Sequence, residues 1–331
     1  MLAEIQITTW HWAAFIGAVL LFLSLDLGVF HRRAHIVKFG EALVWTTVWF
    51  LLAMAFAFAF IAPNLGEQKT VLFLTGYITE LSLSMDNVFV IALIFAYFRV
   101  PTTYQHRVLF WGILGALVMR GLMILAGVAL INRFQWTLYL FALFLIYTGI
   151  KMIFSRDEGI EPEKNPLIRL ARKFYPVSHE YDGQKFMTRM GVVRALTPLA
   201  IALLMIETAD LVFALDSIPA IFGFTTDPFI IFTSNVFAIL GLRSLYFVLA
   251  NAIGYFRFLK VGLSVVLVFI GIKMLLASHA VHDAAEKKFW FQVELEPKIS
   301  LAIVGSIIFV SILTSVIVAW QEKSGKRHAS R

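Results

Sequence analysis

Nine nearly unbroken apolar stretches alternate with short polar connections along the chain, at about 8–30, 41–62, 70–98, 107–130, 134–154, 192–222, 228–251, 257–277 and 299–320. Each is near the roughly 20 residues that a helix needs to cross about 30 Å of hydrocarbon. The pattern predicts an all-α, polytopic membrane protein with about nine transmembrane helices. The first stretch reads as a span rather than a cleaved signal peptide: no basic residue precedes it, it is longer than an h-region, and it carries Asp26. Composition agrees. Of 331 residues 60% are hydrophobic and 15% charged, with mean hydropathy +0.82, outside the balance of a soluble domain.

The net charge of +7 suggests nucleic acid until the charges are placed. One set of loops holds 18 of the 28 Lys/Arg: Arg32, Arg33, Lys38, Arg99, Arg107, seven within 155–190, Arg257, Lys260, Lys323, Lys326, Arg327 and Arg331. The alternate set holds five: Lys69, Arg133, Lys287, Lys288 and Lys298. By the positive-inside rule the N-terminus is expected outside and the C-terminus in the cytoplasm of a bacterial inner-membrane protein. The expected surface partners are membrane lipids, not nucleic acid. The chain has no cysteine, which excludes disulfides, thiolate metal sites and cysteine nucleophiles.

Residues 155–191 form the one long polar connection, expected to be cytoplasmic, and within it "PLIRLARKF" fits a short basic amphipathic helix. The sequence repeats on either side. "LSLSMDNVFVIALIF" resembles "LVFALDSIPAIFGF", pairing Asp86 with Asp216 and Glu80 with Asp210 at an offset of 130. Farther on, Arg120 pairs with Arg243, and "YTGIKMIF" with "FIGIKMLL", offset by 123 and 122. The expected organisation is two N-terminal spans in 1–69, a first three-helix repeat in 70–154, the linker, and a second in 192–277. A loop, a last span and a basic tail fill 278–331. Three spans per unit require the second to be inverted, as in many secondary transporters, with the site near the midplane at the repeat interface. Two geometries follow. Glu80 meets Asp216 in an outer layer and Asp86 meets Asp210 in an inner one, or Asp86 and Asp216 meet at a single central site.

The segment "LLMIETADLVFALDSIPAIF" puts Glu207, Asp210 and Asp216 among apolar residues. A charge at the bilayer centre costs at least about 2.5–3.5 kcal/mol on insertion scales. Such carboxylates protonate, pair or bind a cation. Pairing has candidates in Arg120, Lys151, Arg243 and Lys273. Binding has candidates in a metal set of Glu80, Asp86, Asn87, Glu207, Asp210 and Asp216. Asp26, Ser84, Ser217, Asn235, Arg120 and Arg243 support it, with Ser82 and Thr208 as further oxygen donors. Oxygen donors of this kind suit Mg²⁺, Ca²⁺ or Mn²⁺, and no histidine falls near the middle of a span. Pro198 and Pro219 are expected to interrupt the sixth span and free backbone carbonyls for an ion. His31 and His35 are candidate ligands along the ion's approach; Trp10, Trp12, Trp45 and Trp49 fit interfacial anchoring.

"TGYITELSLSMDNVFVIALIF", "ETADLVFALDSIPAIFGFTTDPFIIFTSNVFAILGLRSLYF", "DLGVFHRRAHIVKFGEALVWTTVW" and "FIGIKML" together resemble the TerC family of integral membrane proteins over nearly the whole chain, nearest to its alkali-inducible Alx branch. The resemblance implies export of Mn²⁺ as transported substrate, with no cofactor, through the acidic motif residues at Glu80, Asp86, Asn87, Glu207, Asp210, Asp216 and Ser217. The residues alone do not choose Mn²⁺ over Ca²⁺ or Mg²⁺. An enzyme is not expected: the GxGD motif of intramembrane aspartyl proteases and the Glu-x-x-His pairs of di-iron proteins are absent. The other alternative is a nontransporting stress or redox-modulating membrane protein with a structural metal.

Overall fold

In lipid every backbone N–H and C=O must find a partner within the protein, so apolar runs of this length close into helices. A computed structural model describes residues 7–25, 39–154, 162–178, 180–191, 193–249, 258–277 and 295–329. Asp26, His31 and His35 lie outside the described residues. The elements are α1 (Thr9–Leu25), α2 (Phe39–Ala55), α3 (Ala62–Phe98), α4 (Thr102–Arg133), α5 (Thr137–Phe154), α6 (Pro166–Phe174), β1 (Met187–Met190), β2 (Val193–Leu196), α7 (Pro198–Phe222), α8 (Pro228–Leu249), α9 (Leu259–Leu276) and α10 (Pro297–Ala329).

Seven helical stretches among the described residues are long and apolar enough to cross a membrane. One, Phe39–Phe98, has 60 residues, about 90 Å of helix and far too long for one crossing. Its two halves, α2 with a π-helical turn at Phe56–Ile61 and α3, fold back on each other at Gly66, whose φ of 87° suits a residue without a side chain. Phe50 lies 6.3 Å from Tyr77 and Phe56 5.6 Å from Phe73, ring centre to ring centre, as an antiparallel hairpin requires. With the shorter apolar α1, each of the nine predicted spans has its helix.

The expected breaks in the sixth span are absent. Pro198 occupies the first turn of α7, where its missing N–H costs nothing, behind the N-cap Thr197. Helix α7 runs on through Pro219, which supplies no N–H to the Leu215 carbonyl, and ends at Gly223. In the linker, α6 forms where the amphipathic pattern predicts it, capped by Asn165, whose Oδ1 accepts from Leu167 N (2.9 Å) and Ile168 N (3.2 Å). An antiparallel hairpin follows, with Met187 opposite Leu196 and Met190 opposite Val193. Each strand has only four residues without a regular alternation, and no strand is expected there from the sequence. Tyr181 donates a 2.7 Å hydrogen bond to the Phe98 carbonyl and so ties the linker to the end of α3.

Close crossings fix the helices. Helix α8 is almost wholly enclosed by α2, α3 and α4. Gly76 of α3 seats Ser234 of α8, and Gly112 of α4 seats Ile206 of α7. Gly149 of α5 lies against the Ser264 carbonyl and Val268 of α9, while Gly271 of α9 lies against the Ala142 carbonyl and Ile146 of α5. Positions 142, 146 and 149 correspond to 264, 268 and 271 at the offset of 122. The α5–α9 contacts are thus reciprocal, and the two helices run antiparallel. At the end away from the linker, Lys69 bridges to Asp227 at 3.2 Å, and Asp227 also accepts from Phe229 N and Ile230 N at the start of α8. The outward faces remain apolar, with Val118, Leu122 and Leu125 of α4 well exposed, as a lipid-facing surface requires.

Candidate metal site

Glu80 and Asp86 on α3 and Glu207, Asp210 and Asp216 on α7 sit where these helices meet α4, and Arg120 of α4 binds Glu80 and Asp210. Arg120 is 1% exposed. Nε donates to Asp210 Oδ2 at 3.2 Å and Nη2 to Asp210 Oδ1 at 2.9 Å. Nη1 donates to Glu80 Oε1 and, at 3.3 Å, to Ser217 Oγ. Asn87 Nδ2 adds a 3.4 Å contact to Asp210 Oδ1. Carrying an arginine into a low-dielectric interior costs several kcal/mol, and the two carboxylates with a bidentate fork offset that cost.

Part of the predicted acid set is therefore an ion-pair network, the pairing role that the sequence left open for Arg120. The levels follow the geometry of antiparallel segments: Asn87 meets Asp210, and Glu80 reaches the Ser217 level through the guanidinium. The same guanidinium joins the two levels. The Arg120 fork links Glu80 to Asp210, and Asp86 and Asp216 line one cavity beside it.

Beside the network is a cavity of about 40 Å³, lined by Leu83, Asp86, Asn87, Arg120, Met152, Phe213, Asp216, Ser217 and Leu267. Asp86 and Asp216, the equivalent aspartates of the two halves, both line it. Thr148 and Lys151 of α5 are the polar neighbours of Asp216. A smaller cavity of about 20 Å³ lies next to Asn87, Asp210 and Arg243 between α3, α4, α7 and α8. Glu207 stands half-buried one turn from Asp210, with its carboxylate against Gly115 of α4. Glu80 Oε2 and Asn87 Oδ1 are buried acceptors without a hydrogen-bond partner, and Asn87 lines both cavities.

Other predicted donors do not join. Ser82 and Thr208 donate to their own helices, at Ile78 O and Leu204 O, both 2.7 Å. Ser84 and Asn235 are buried but line neither cavity. Among the described residues, no three His, Cys, Asp or Glu side chains converge closely enough to hold a metal by themselves. A cation between Asp86 and Asp216 therefore needs amide, hydroxyl, thioether or water donors as well. Gly115, Thr148 and Met152 are absent from the predicted set. Thr148 and Met152 were visible only as parts of the repeated "YTGIKM", and nothing in the local sequence marks Gly115.

The sequence profile described as "Integral membrane protein TerC family" matches residues 65–323. An "Uncharacterized membrane protein STKORF319" from Myxococcus xanthus is 50% identical over 306 residues, covering 92% of each chain. The "Putative membrane-bound redox modulator Alx" of Salmonella typhi is 44% identical over 273 residues, covering 80% of this chain and 85% of its own. The protein of that name from Escherichia coli K12 is 40% identical over 317 residues, covering 93% and 94%. No solved structure matches.

Proposed function

The chain belongs to the TerC family of integral membrane proteins, and on that footing we propose that it exports divalent manganese across the bacterial inner membrane, in exchange for protons, through the cavity between Asp86 and Asp216. One observation carries the reading: the aspartates matched between the two halves of the sequence line one small, largely apolar cavity within the helix bundle, beside the Arg120 guanidinium. Intramembrane acids facing a cavity mark ion paths. The reciprocal, antiparallel pairing of α5 with α9 supports an inverted repeat, in which such a site is reached alternately from either side. The loop charges favour a cytoplasmic linker and C-terminus and an external N-terminus.

The chemistry is consistent with these parts. About 40 Å³ holds only a few water-sized species, so an ion enters with most of its shell replaced by the wall. That disfavours Mg²⁺, which dehydrates reluctantly. Ligand carboxylates must be ionised to bind, so metal binding releases protons and proton return releases metal. The positive charge of Arg120 limits affinity, and a transported ion must also leave. Without cysteine, thiol exchange is not open to this chain, and a redox effect of the kind its relatives' name suggests would act through metal supply.

Reconstituted protein tests the reading. Mn²⁺ accumulation in proteoliposomes under an imposed proton gradient, lost when the gradient is collapsed, is the expected result. Well-folded protein that moves no Mn²⁺ contradicts it. Flux of Ca²⁺ alone would support the calcium alternative, which the oxygen-rich donor set also suits.

A further inference from the structure

Met152 lines the cavity between Asp86 and Asp216, and the transport reading gives it no task. We propose that Met152 sets the preference of this site among divalent cations, its thioether favouring Mn²⁺ and softer ions over Ca²⁺ and Mg²⁺. The inference rests on the cation-binding reading above and names its specificity-determining residue.

Position is the first argument. Thr148 and Met152 are four residues apart, so they share one face of α5. Thr148 is a neighbour of Asp216, and Met152 lines the same cavity. Helix α5 is held at a defined depth one turn earlier, where Gly149 lies against the Ser264 carbonyl and Val268. The thioether is delivered by a backbone crossing rather than by a loop.

The second argument is the incomplete shell. No three carboxylates or imidazoles among the described residues converge, and the cavity admits little water. Wall atoms must therefore complete the coordination, and one wall side chain carries sulfur. Oxygen donors alone serve Ca²⁺, Mg²⁺ and Mn²⁺ alike, whereas thioether sulfur favours softer transition ions. A d-block ion gains from the polarizable sulfur. An alkaline-earth ion in its place loses an oxygen ligand and gains nothing comparable.

Third, the two halves differ at this point. The equivalent of Met152 is Met274 on α9, which packs at Gly223 beyond the end of α7, and the equivalent of Thr148 is Ile270, packed at the same glycine. The repeated "GIKM" thus places one thioether at the cation cavity and the other in an apolar contact. This difference supplies the control.

The test is competition for Mn²⁺ binding to purified full-length protein, read from the electron paramagnetic resonance signal of free Mn²⁺, with Ca²⁺, Mg²⁺ and Cd²⁺ as competitors. Wild type is compared with Met152→Leu and Met274→Leu, swaps that conserve core volume. In Met152→Leu, Ca²⁺ is expected to compete at about tenfold lower excess over Mn²⁺ and Cd²⁺ to lose about tenfold in affinity, with Met274→Leu unchanged. Wild-type ratios in Met152→Leu, or equal shifts in both variants, overturn the inference while leaving Mn²⁺ binding intact. Wild-type protein that binds none of the ions overturns the transport reading itself, and this inference with it.

Discussion

Arg120 grips Asp210 through two parallel contacts, Nε to Oδ2 and Nη2 to Oδ1, while its third nitrogen turns to Glu80. One cation thus locks α4 to both α3 and α7, the segments that carry Glu80, Asp86, Glu207, Asp210 and Asp216. Removing it leaves two buried carboxylates unpaired. Arg120→Leu should lose about 3–5 kcal/mol of stability, read as a lower unfolding temperature in detergent. Adding Glu80→Gln and Asp210→Asn should recover part of that loss, because neutral side chains no longer need the guanidinium. Arg120→Lys should not recover it, since an ammonium lacks the planar fork.

Much of this was legible in the sequence, and the boundary has a physical origin. Span length and composition give nine apolar helices, because lipid leaves the backbone few alternatives. Matched rare charges pair the segments around Asp86 and Asp216 in the sequence, and the fold brings Glu80, Asp86, Asp210 and Asp216 to one region. Whether an acid pairs or faces a cavity depends on side-chain reach across three helices. Asp210 and Asp216 look alike in sequence, yet Arg120 grips Asp210 in a bidentate ion pair, whereas Asp216 lines the cavity shared with Asp86. Pro219 misleads for a related reason: its position near the end of α7 lets the helix absorb it.

The α5–α9 crossing should tolerate no bulk on either side. Gly149→Leu and Gly271→Leu each force a side chain into the partner backbone, and each should cost about 1–3 kcal/mol. Because the contacts are reciprocal, the two losses should be similar. Gly305→Leu on α10, where a Cβ meets nothing within 4 Å, should leave the unfolding temperature nearly unchanged.

Gly115 leaves room for the Glu207 carboxylate. A valine there should push that carboxylate aside and lower Mn²⁺ flux several-fold at matched protein levels, with little change in unfolding temperature. The double variant Gly115→Val with Glu207→Gln should be no worse than Glu207→Gln alone, since neighbours acting on one group are not additive. Additive losses would place Gly115 in helix packing only.

Tyr181→Phe removes the hydrogen bond from the linker to the Phe98 carbonyl, which is worth about 0.5–1.5 kcal/mol. The loss should be local. Faster hydrogen exchange is expected across 180–190, with global unfolding unaffected. Exchange unchanged from wild type would mean that the hairpin does not depend on this tie.

The most direct test of the central claim is Mn²⁺ flux into inverted membrane vesicles by Asp86→Asn and Asp216→Asn beside wild type, at equal abundance. Because both aspartates line one cavity, each substitution alone is expected to abolish flux while the protein still reaches the membrane in normal amount. Full flux in either variant would contradict a shared site, and loss of the protein itself would assign the acids to folding instead.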